Sequence, residues 1–161
     1  MLSMLALAVF ASLLLYAACS DIARMIIPNW VSIALGAAFP PAALAAGLPL
    51  GEIGMHLLFG AAVLAVGFFL FAANIFGGGD AKLLAATAVW TGFAAFWPFL
   101  FWTATAGGVL ALALLAARQF VKQAETHPPF VNHLLQKQSG IPYGVAIMCG
   151  GLMAIPSLPF V

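Results

Sequence analysis

Residues 83–118 read LLAATAVWTGFAAFWPFLFWTATAGGVLALALLAAR, an apolar stretch of 36 residues whose only charge is the final arginine. A helix that spans a bilayer needs about 20 apolar residues. The stretch is therefore too long for one span and long enough for two short ones. Pro98 lies near its middle, and we predict that the chain turns there to form two helices.

The composition of the whole chain indicates a membrane protein. Of its 161 residues, 65% are apolar and 6% are charged, whereas a soluble domain carries about 25% charged residues. So few charges cannot cover a surface that faces water, and five Lys and Arg are too few for a nucleic-acid-binding face. The two cysteines form no C-x-x-C pair, so neither a zinc ribbon nor a disulfide framework is predicted.

Apolar stretches elsewhere bring the predicted number of membrane-spanning helices to six. We therefore predict an all-α, polytopic membrane protein with a single domain over residues 1–161. Its predicted cytoplasmic loops are about 19–29, 74–82 and 118–140, and the last includes a short amphipathic helix after Pro129. The four stretches outside 83–118 are 2–18, 30–47, 53–73 and 141–160.

The positions of the basic residues predict the orientation of these helices. The second loop contains Glu52 and no basic residue, and the fourth has no charge. The positive-inside rule makes the first, third and fifth loops cytoplasmic, so both chain termini are predicted to lie outside. These three loops hold all five Lys and Arg: Arg24, Lys82, Arg118, Lys122 and Lys137.

The chain has only four carboxylates, and ionisable groups at membrane depth indicate function. Glu52 and Glu125 lie in loops and are predicted to be solvated. Asp21 closes the first helix and Asp80 opens the fourth, so the predicted topology puts both at cytoplasmic helix ends. Two carboxylates that come close share one proton, and such a pair can activate water and protonate a leaving amine. Alternatively, Asp21 pairs with Arg24 and Asp80 caps its helix.

Three consecutive glycines, Gly77, Gly78 and Gly79, come directly before Asp80. Such a run is predicted to interrupt the helix and to let a backbone or a substrate approach closely. Irregular backbone at membrane depth is tolerated where protein or a water-filled cavity surrounds it. No strand precedes these glycines and no Gly-Lys-Ser/Thr follows them, so a phosphate-binding P-loop is not predicted.

Two sequence patterns stand at the helix ends that carry these aspartates. An Asp followed by a basic residue and by Ile-Pro-Asn occupies 21–29, and G-x-G-D followed closely by Lys occupies 77–82. A weaker pattern, Pro-Tyr-Gly at 142–144, opens the last helix. Together these segments resemble the type IV prepilin peptidases, a family of membrane aspartyl proteases.

This resemblance implies an endopeptidase that removes a short basic leader from a prepilin or pseudopilin in the lipid bilayer. Cleavage would take place at the cytoplasmic face of the bacterial inner membrane, with Asp21 and Asp80 as the catalytic pair and without a metal or cofactor. A metal site at His127 and His133 is not predicted either. The supporting or substrate-approach residues would be Gly77, Gly78, Gly79, Lys82, Arg24, Asn29 and Tyr143.

The first loop separates this chain from larger members of that family. Those members carry a cytoplasmic insert with two C-x-x-C pairs after the first helix, and they also methylate the new N-terminus. The first loop here has about ten residues and no such cysteines. The resemblance therefore favours the small, peptidase-only branch that serves tight-adherence pili, and it leaves methyltransferase activity open.

Three other interpretations stay open at this level. One is a protease of the presenilin type, against which the Ile-Pro-Asn segment and the small size speak. Another is a small ion- or proton-coupled transporter that uses Asp21 and Asp80, although such proteins often have internal repeats and midplane charges. The third is a structural subunit of a pilus machine with a vestigial site. The precursor and the oligomeric state are not indicated by the sequence.

Overall fold

The computed structural model describes residues 2–121, 128–136 and 140–159. All regular secondary structure within these residues is helical, which confirms the predicted all-α class. The elements are α1 (Leu2–Arg24), α2 (Asn29–Ala45), α3 (Leu50–Ala72), α4 (Gly78–Phe120), α5 (Pro129–Leu135), α6 (Tyr143–Met153) and a 3-10 turn (Ile155–Ser157).

Three of these helices, α1, α3 and α4, are long and apolar enough to cross a membrane. Helices α2 and α6 are also apolar but shorter, at 17 and 11 residues. The outward side chains of the helices are largely apolar, as in Leu15 of α1, Ile33 of α2 and Phe69 of α3. Apolar side chains on the outside and few charges are what a lipid solvent requires.

Helix α4 is interrupted at Gly92, and the prediction of a turn at Pro98 is wrong. Gly92 has φ 55° and ψ −169°, a combination that is essentially restricted to glycine. Pro98 lies inside the helix that follows. Proline removes one backbone hydrogen bond, but its fixed φ is compatible with a helix. We call the residues before Gly92 the first arm of α4 and those after it the second arm.

The two arms run in opposite directions, and both contact α6. A Cβ built on Gly151 would lie 3.5 Å from Thr87 of the first arm, and Gly150 packs directly on Thr103 of the second. Further along the second arm, a Cβ on Gly107 would lie 3.2 Å from the ring of Tyr143, at the start of α6. The chain therefore reverses at Gly92, as the prediction of two short helices required.

His56 of α3 packs against this reversal. Its Nδ1 lies 2.8 Å from the carbonyl oxygen of Val89, which loses its regular helical partner at the break. Since that oxygen can only accept, Nδ1 carries the proton and donates it. The ring also stacks on Phe39 of α2, with centroids 5.0 Å apart. His56 thus caps the interrupted helix, and it does not line the aspartate-bearing helix ends.

Trp90 of the first arm anchors the core. It is fully buried, its ring lies 5.0 Å from that of Phe10 of α1, and its indole N–H donates to the carbonyl oxygen of Leu35 at 2.8 Å. A buried indole needs such a partner. These contacts hold α1 and α2 against the first arm of α4, and they fix the helix ends that carry the two aspartates.

Helices α1 and α4 extend beyond the predicted apolar stretches, whereas α6 covers only part of the predicted stretch 141–160. Helix α1 continues to Arg24 and ends where Met25 adopts φ 54°, so only residues 25–28 connect it to α2. The predicted loop 74–82 shrinks likewise to 73–77, and α5 lies where a helix after Pro129 was predicted. Lys122, Glu125, His127 and Lys137 lie outside the described residues.

Gly92→Ala should destabilise the fold. The new methyl group would be forced into a backbone conformation that costs about 1–3 kcal/mol, and its carbon would lie 2.5 Å from Cε1 of His56. The measurement is thermal unfolding of the purified protein in detergent. Gly108→Ala is the matched control, because Gly108 has no atom within 4 Å of its Cβ position. Equal melting temperatures for the two variants would contradict the role assigned to Gly92.

Candidate active site

Asp21 lies in the last turn of α1 and is 5% exposed. Its Oδ2 accepts a hydrogen bond from the backbone N–H of Gly144 at 2.7 Å. The alternative pairing with Arg24 is not found: Arg24 is exposed and forms no ion pair with any residue that the structure describes. The buried carboxylate is therefore held by backbone of a different helix.

Gly144 is a site residue that the sequence analysis did not single out. Pro142 is the N-cap of α6, so the Gly144 N–H is one of the donors that a helix leaves free at its first turn. The helix dipole also favours a negative charge at this end. A Cβ on Gly144 would lie 2.9 Å from Asp21 Oδ2, so the close approach requires glycine. The Pro-Tyr-Gly pattern at 142–144 was the available signal.

Asp80 lies in the first turn of α4 and is partly buried. It does not cap this helix, because the N-cap is Gly77 and no side chain makes the cap hydrogen bond. The carboxylate instead folds back over Gly77, where a Cβ would lie 2.5 Å from Asp80 Oδ2.

The three glycines are needed for space and not for unusual backbone angles. Gly77 has φ −71° and ψ 139°, which any residue adopts, and Gly78 and Gly79 already belong to α4. Of the three glycines, only Gly77 lies in the interruption between α3 and α4. A Cβ on Gly78 would meet the ring of Phe71 at 3.2 Å, and one on Gly79 would meet Cβ of Ile27 at 3.3 Å.

Asp21 and Asp80 line the same pocket, which has a volume of about 300 Å³. They are also close enough for the charge of Asp21 to act on Asp80. Here the end of α1, the connection to α2 and the start of α4 meet. We call this space the aspartate pocket; its lining residues are Asp21, Met25, Ile26, Ile27, Asn29, Gly77, Gly78, Gly79 and Asp80.

Lys82 and Asn29 form a pair at the edge of the aspartate pocket. The ammonium group of Lys82 donates to Asn29 Oδ1 at 2.9 Å. Lys82 forms no ion pair with Asp80, because residues two apart on a helix do not face each other. The pair thus ties the start of α2 to the start of α4, and no Lys or Arg among the described residues forms an ion pair with Asp80.

Two of the predicted supporting residues lie outside the pocket. Arg24 is exposed at the end of α1 and does not line the pocket. Tyr143 packs on Gly107, and its ring centroid lies 6.1 Å from that of Phe76. Both rings line a separate apolar groove between α3 and α4. The structure therefore brings together Asp21, Asp80, the three glycines and Asn29, with Lys82 at their border.

Arg118 is another residue that the sequence analysis did not connect with the site. Its Nε donates to the carbonyl oxygen of Leu134 and its Nη2 to that of Gly140, each at 2.9 Å. These bonds hold α5 and the residues before α6 against the end of α4. Since Gly140 also packs on Met25, Arg118, Arg24 and Lys82 lie at the same end of the helix bundle.

The part of the chain that the structure describes contains no set of metal ligands. No group of three or more His, Cys, Asp or Glu residues lies close enough there to hold an ion. The aspartate pocket supplies two carboxylates alone. Such a pair can transfer protons to and from a bound water and an amide.

A family model of the type IV leader peptidases matches residues 8–112. This range includes both aspartates and their surrounding motifs, and it ends before α5 and α6. No curated protein and no solved structure matches the chain. The matched region covers more than half of the sequence and carries the whole aspartate pocket, so the chain belongs to the type IV leader peptidase family, whose members are prepilin leader peptidases.

Proposed function

We propose that this protein is a membrane-embedded aspartyl endopeptidase that removes the short basic leader of a pilin-like precursor, with Asp21 and Asp80 as its catalytic pair. The observation that carries the proposal is that both carboxylates line one small pocket beside a glycine-rich turn. They come from positions 59 residues apart, at the end of one helix and the start of another. Family membership supports the same activity.

The surroundings of the two carboxylates suggest different roles for them. Asp21 accepts the Gly144 N–H at the start of α6, and such a donor favours a charged carboxylate. Asp80 accepts no hydrogen bond from any residue that the structure describes. Because two carboxylates in one pocket resist double ionisation, we assign the shared proton to Asp80 and the negative charge to Asp21.

The proposed reaction proceeds by general acid–base catalysis. Asp21 takes a proton from a water molecule as the water oxygen attacks the scissile carbonyl carbon, and Asp80 gives its proton to the carbonyl oxygen. The C–N bond of the tetrahedral intermediate then breaks. The leaving nitrogen receives the proton from Asp21, and a hydroxyl proton returns to Asp80, which restores the pair.

The glycines would admit the substrate backbone to this pair. Gly77–Gly79 form one wall of the aspartate pocket, and a wall without side chains lets an extended peptide approach the carboxylates closely. A scissile bond must be extended and unpaired to be cut, and the pocket lies at helix ends where such a segment can enter.

We further propose that the site works at the cytoplasmic face of the bacterial inner membrane, in a multi-pass arrangement. Arg24, Lys82 and Arg118 support this orientation, because they lie at the same end of the bundle as the aspartate pocket and basic residues favour the cytoplasmic side. The connection between α1 and α2, residues 25–28, has no insert. It supports a peptidase that lacks the methyltransferase activity of larger relatives.

Asp21→Asn and Asp80→Asn should each abolish leader removal. Loss of one member of an acid–base pair lowers the rate by about 10²–10⁴-fold. The measurement is the gel shift of a prepilin reconstituted with each purified variant in liposomes. Glu52→Gln is the control, since Glu52 is exposed at the start of α3, and it should cleave like the wild type. Cleavage by either aspartate variant would refute the pair, and aspartate-dependent ion flux without cleavage would favour a transporter.

Gly144→Ala should reduce kcat, with only a small effect on the free energy of unfolding. The added methyl group would collide with Asp21 and displace the N–H donor, and a hydrogen bond to a charged group is worth about 1.5–3 kcal/mol. We therefore expect kcat to fall by roughly 10- to 100-fold in the same assay. Gly108→Ala serves as the control for a methyl group added elsewhere in a helix. Wild-type kcat for Gly144→Ala would show that the Asp21 contact is dispensable.

A further inference from the structure

A groove separate from the aspartate pocket runs between α2 and α3. Its floor is the first arm of α4, and its volume is about 480 Å³. The two helices are joined by a short turn but contact each other little along their length. We call this space the α2–α3 groove; its lining residues are Asn29, Ser32, Ile33, Gly36, Gly60, Ala61, Leu64, Lys82, Ala85, Ala86 and Val89.

The α2–α3 groove adjoins the aspartate pocket. Asn29 lines both spaces, and Lys82, which donates to Asn29, stands two residues after Asp80 at the mouth of the groove. A chain whose scissile bond lies between the two aspartates would therefore have the mouth of the groove next to it, at the Lys82–Asn29 pair.

The walls of the groove suit a helix more than a bulky aromatic ligand. Gly36 has no atom within 4 Å of its Cβ position, so this stretch of α2 is open. Small residues such as Gly36, Ala61 and Ala85 allow the backbone of another helix to approach closely, which is how helices associate in membranes.

Ser32 is a polar residue in the wall of the groove. The residue is 9% exposed, and its hydroxyl has no hydrogen-bond partner in the structure. A buried hydroxyl without a partner costs about 1–3 kcal/mol. The oxygen is buried in the structure, and rotation of the Ser32 side chain about χ1 would turn the hydroxyl toward the groove, where a carbonyl oxygen of an occupant would accept its proton and remove this penalty.

A second groove competes for the same role. It lies between α3 and the second arm of α4, is larger at about 630 Å³, and is lined by aromatic and aliphatic side chains such as Phe59, Phe93 and Trp97. It shares no lining residue with the aspartate pocket. Its size and apolar lining suit a lipid chain, whereas the α2–α3 groove shares Asn29 with the aspartate pocket.

We propose that the α2–α3 groove binds the apolar membrane helix of the precursor, on the C-terminal side of the bond that is cut. This inference rests on the proposed function, and it adds where the part of the substrate after the scissile bond lies. The ammonium group of Lys82 at the mouth of the groove disfavours entry of a basic leader into the groove. The uncharged mature segment enters the groove, where Gly36 and Ser32 contact its backbone.

A large side chain in the groove should slow the cleavage of a full-length precursor but not that of a short peptide. Gly36→Leu is compared with Gly108→Leu, which adds the same side chain at another open glycine of a helix, outside the lining of the α2–α3 groove. Each variant is assayed with a full-length precursor in liposomes and with a short peptide that holds only the leader and the residues next to the cut. For Gly36→Leu we expect kcat/KM for the precursor to fall at least about tenfold, mainly through KM, with unchanged peptide cleavage.

The outcomes distinguish this inference from the proposed function. Unchanged precursor cleavage by Gly36→Leu overturns the groove assignment, and so does an equal loss with both substrates, which indicates a lipid or structural role. If the wild-type protein cuts neither substrate, the proposed function fails.

Disulfide trapping tests the contact without any need for cleavage. Cys19 and Cys149, the two native cysteines, are first replaced by serine. Gly36→Cys is then oxidised together with precursors that carry single cysteines along their apolar helix. Adducts at positions three or four residues apart support a docked helix. No adduct beyond that of the Gly108→Cys control overturns the proposal.

Discussion

The hydrogen bond from the Gly144 backbone to Asp21 Oδ2 joins residues 123 positions apart in the chain. It sets the last turn of α1 against the first turn of α6, and it gives a buried carboxylate the donor that its burial demands. The bond is short because Gly144 has no side chain in the way. Arg118 secures the same arrangement from outside by holding the carbonyl oxygen of Gly140. The position of Asp21 depends on this contact.

The second aspartate depends on the way the chain folds over α6. The reversal at Gly92 lets both arms of α4 pack on α6, and the glycines of α6 let them approach closely. Asp80 stands at the far end of the first arm, at the level of Gly144. His56 satisfies the carbonyl group that the reversal leaves without its helical partner. A break in a membrane helix is stable only when the backbone groups that it frees find other hydrogen-bond partners.

The space around the two carboxylates is shaped by small residues. Glycines line one wall of the aspartate pocket, and glycine and alanine line much of the adjoining α2–α3 groove. The same lack of side chains serves two ends in the proposed mechanism: an extended backbone reaches the aspartates, and an apolar helix lies beside them. Lys82 lies between the two spaces, where in the proposed mechanism its charge disfavours entry of the basic leader into the groove.

The sequence by itself determined the helical class and the two helix ends that carry Asp21 and Asp80. Those conclusions follow from composition, apolar length and local motifs, which are properties of neighbouring residues. The turn was predicted at Pro98 and lies at Gly92. A proline can be part of a helix, whereas the backbone angles at Gly92 are ones that only glycine adopts. Only the tertiary structure decided that Gly144 contacts Asp21 and that Tyr143 lies outside the pocket. Both results depend on which residues meet across helices, and no local pattern encodes that.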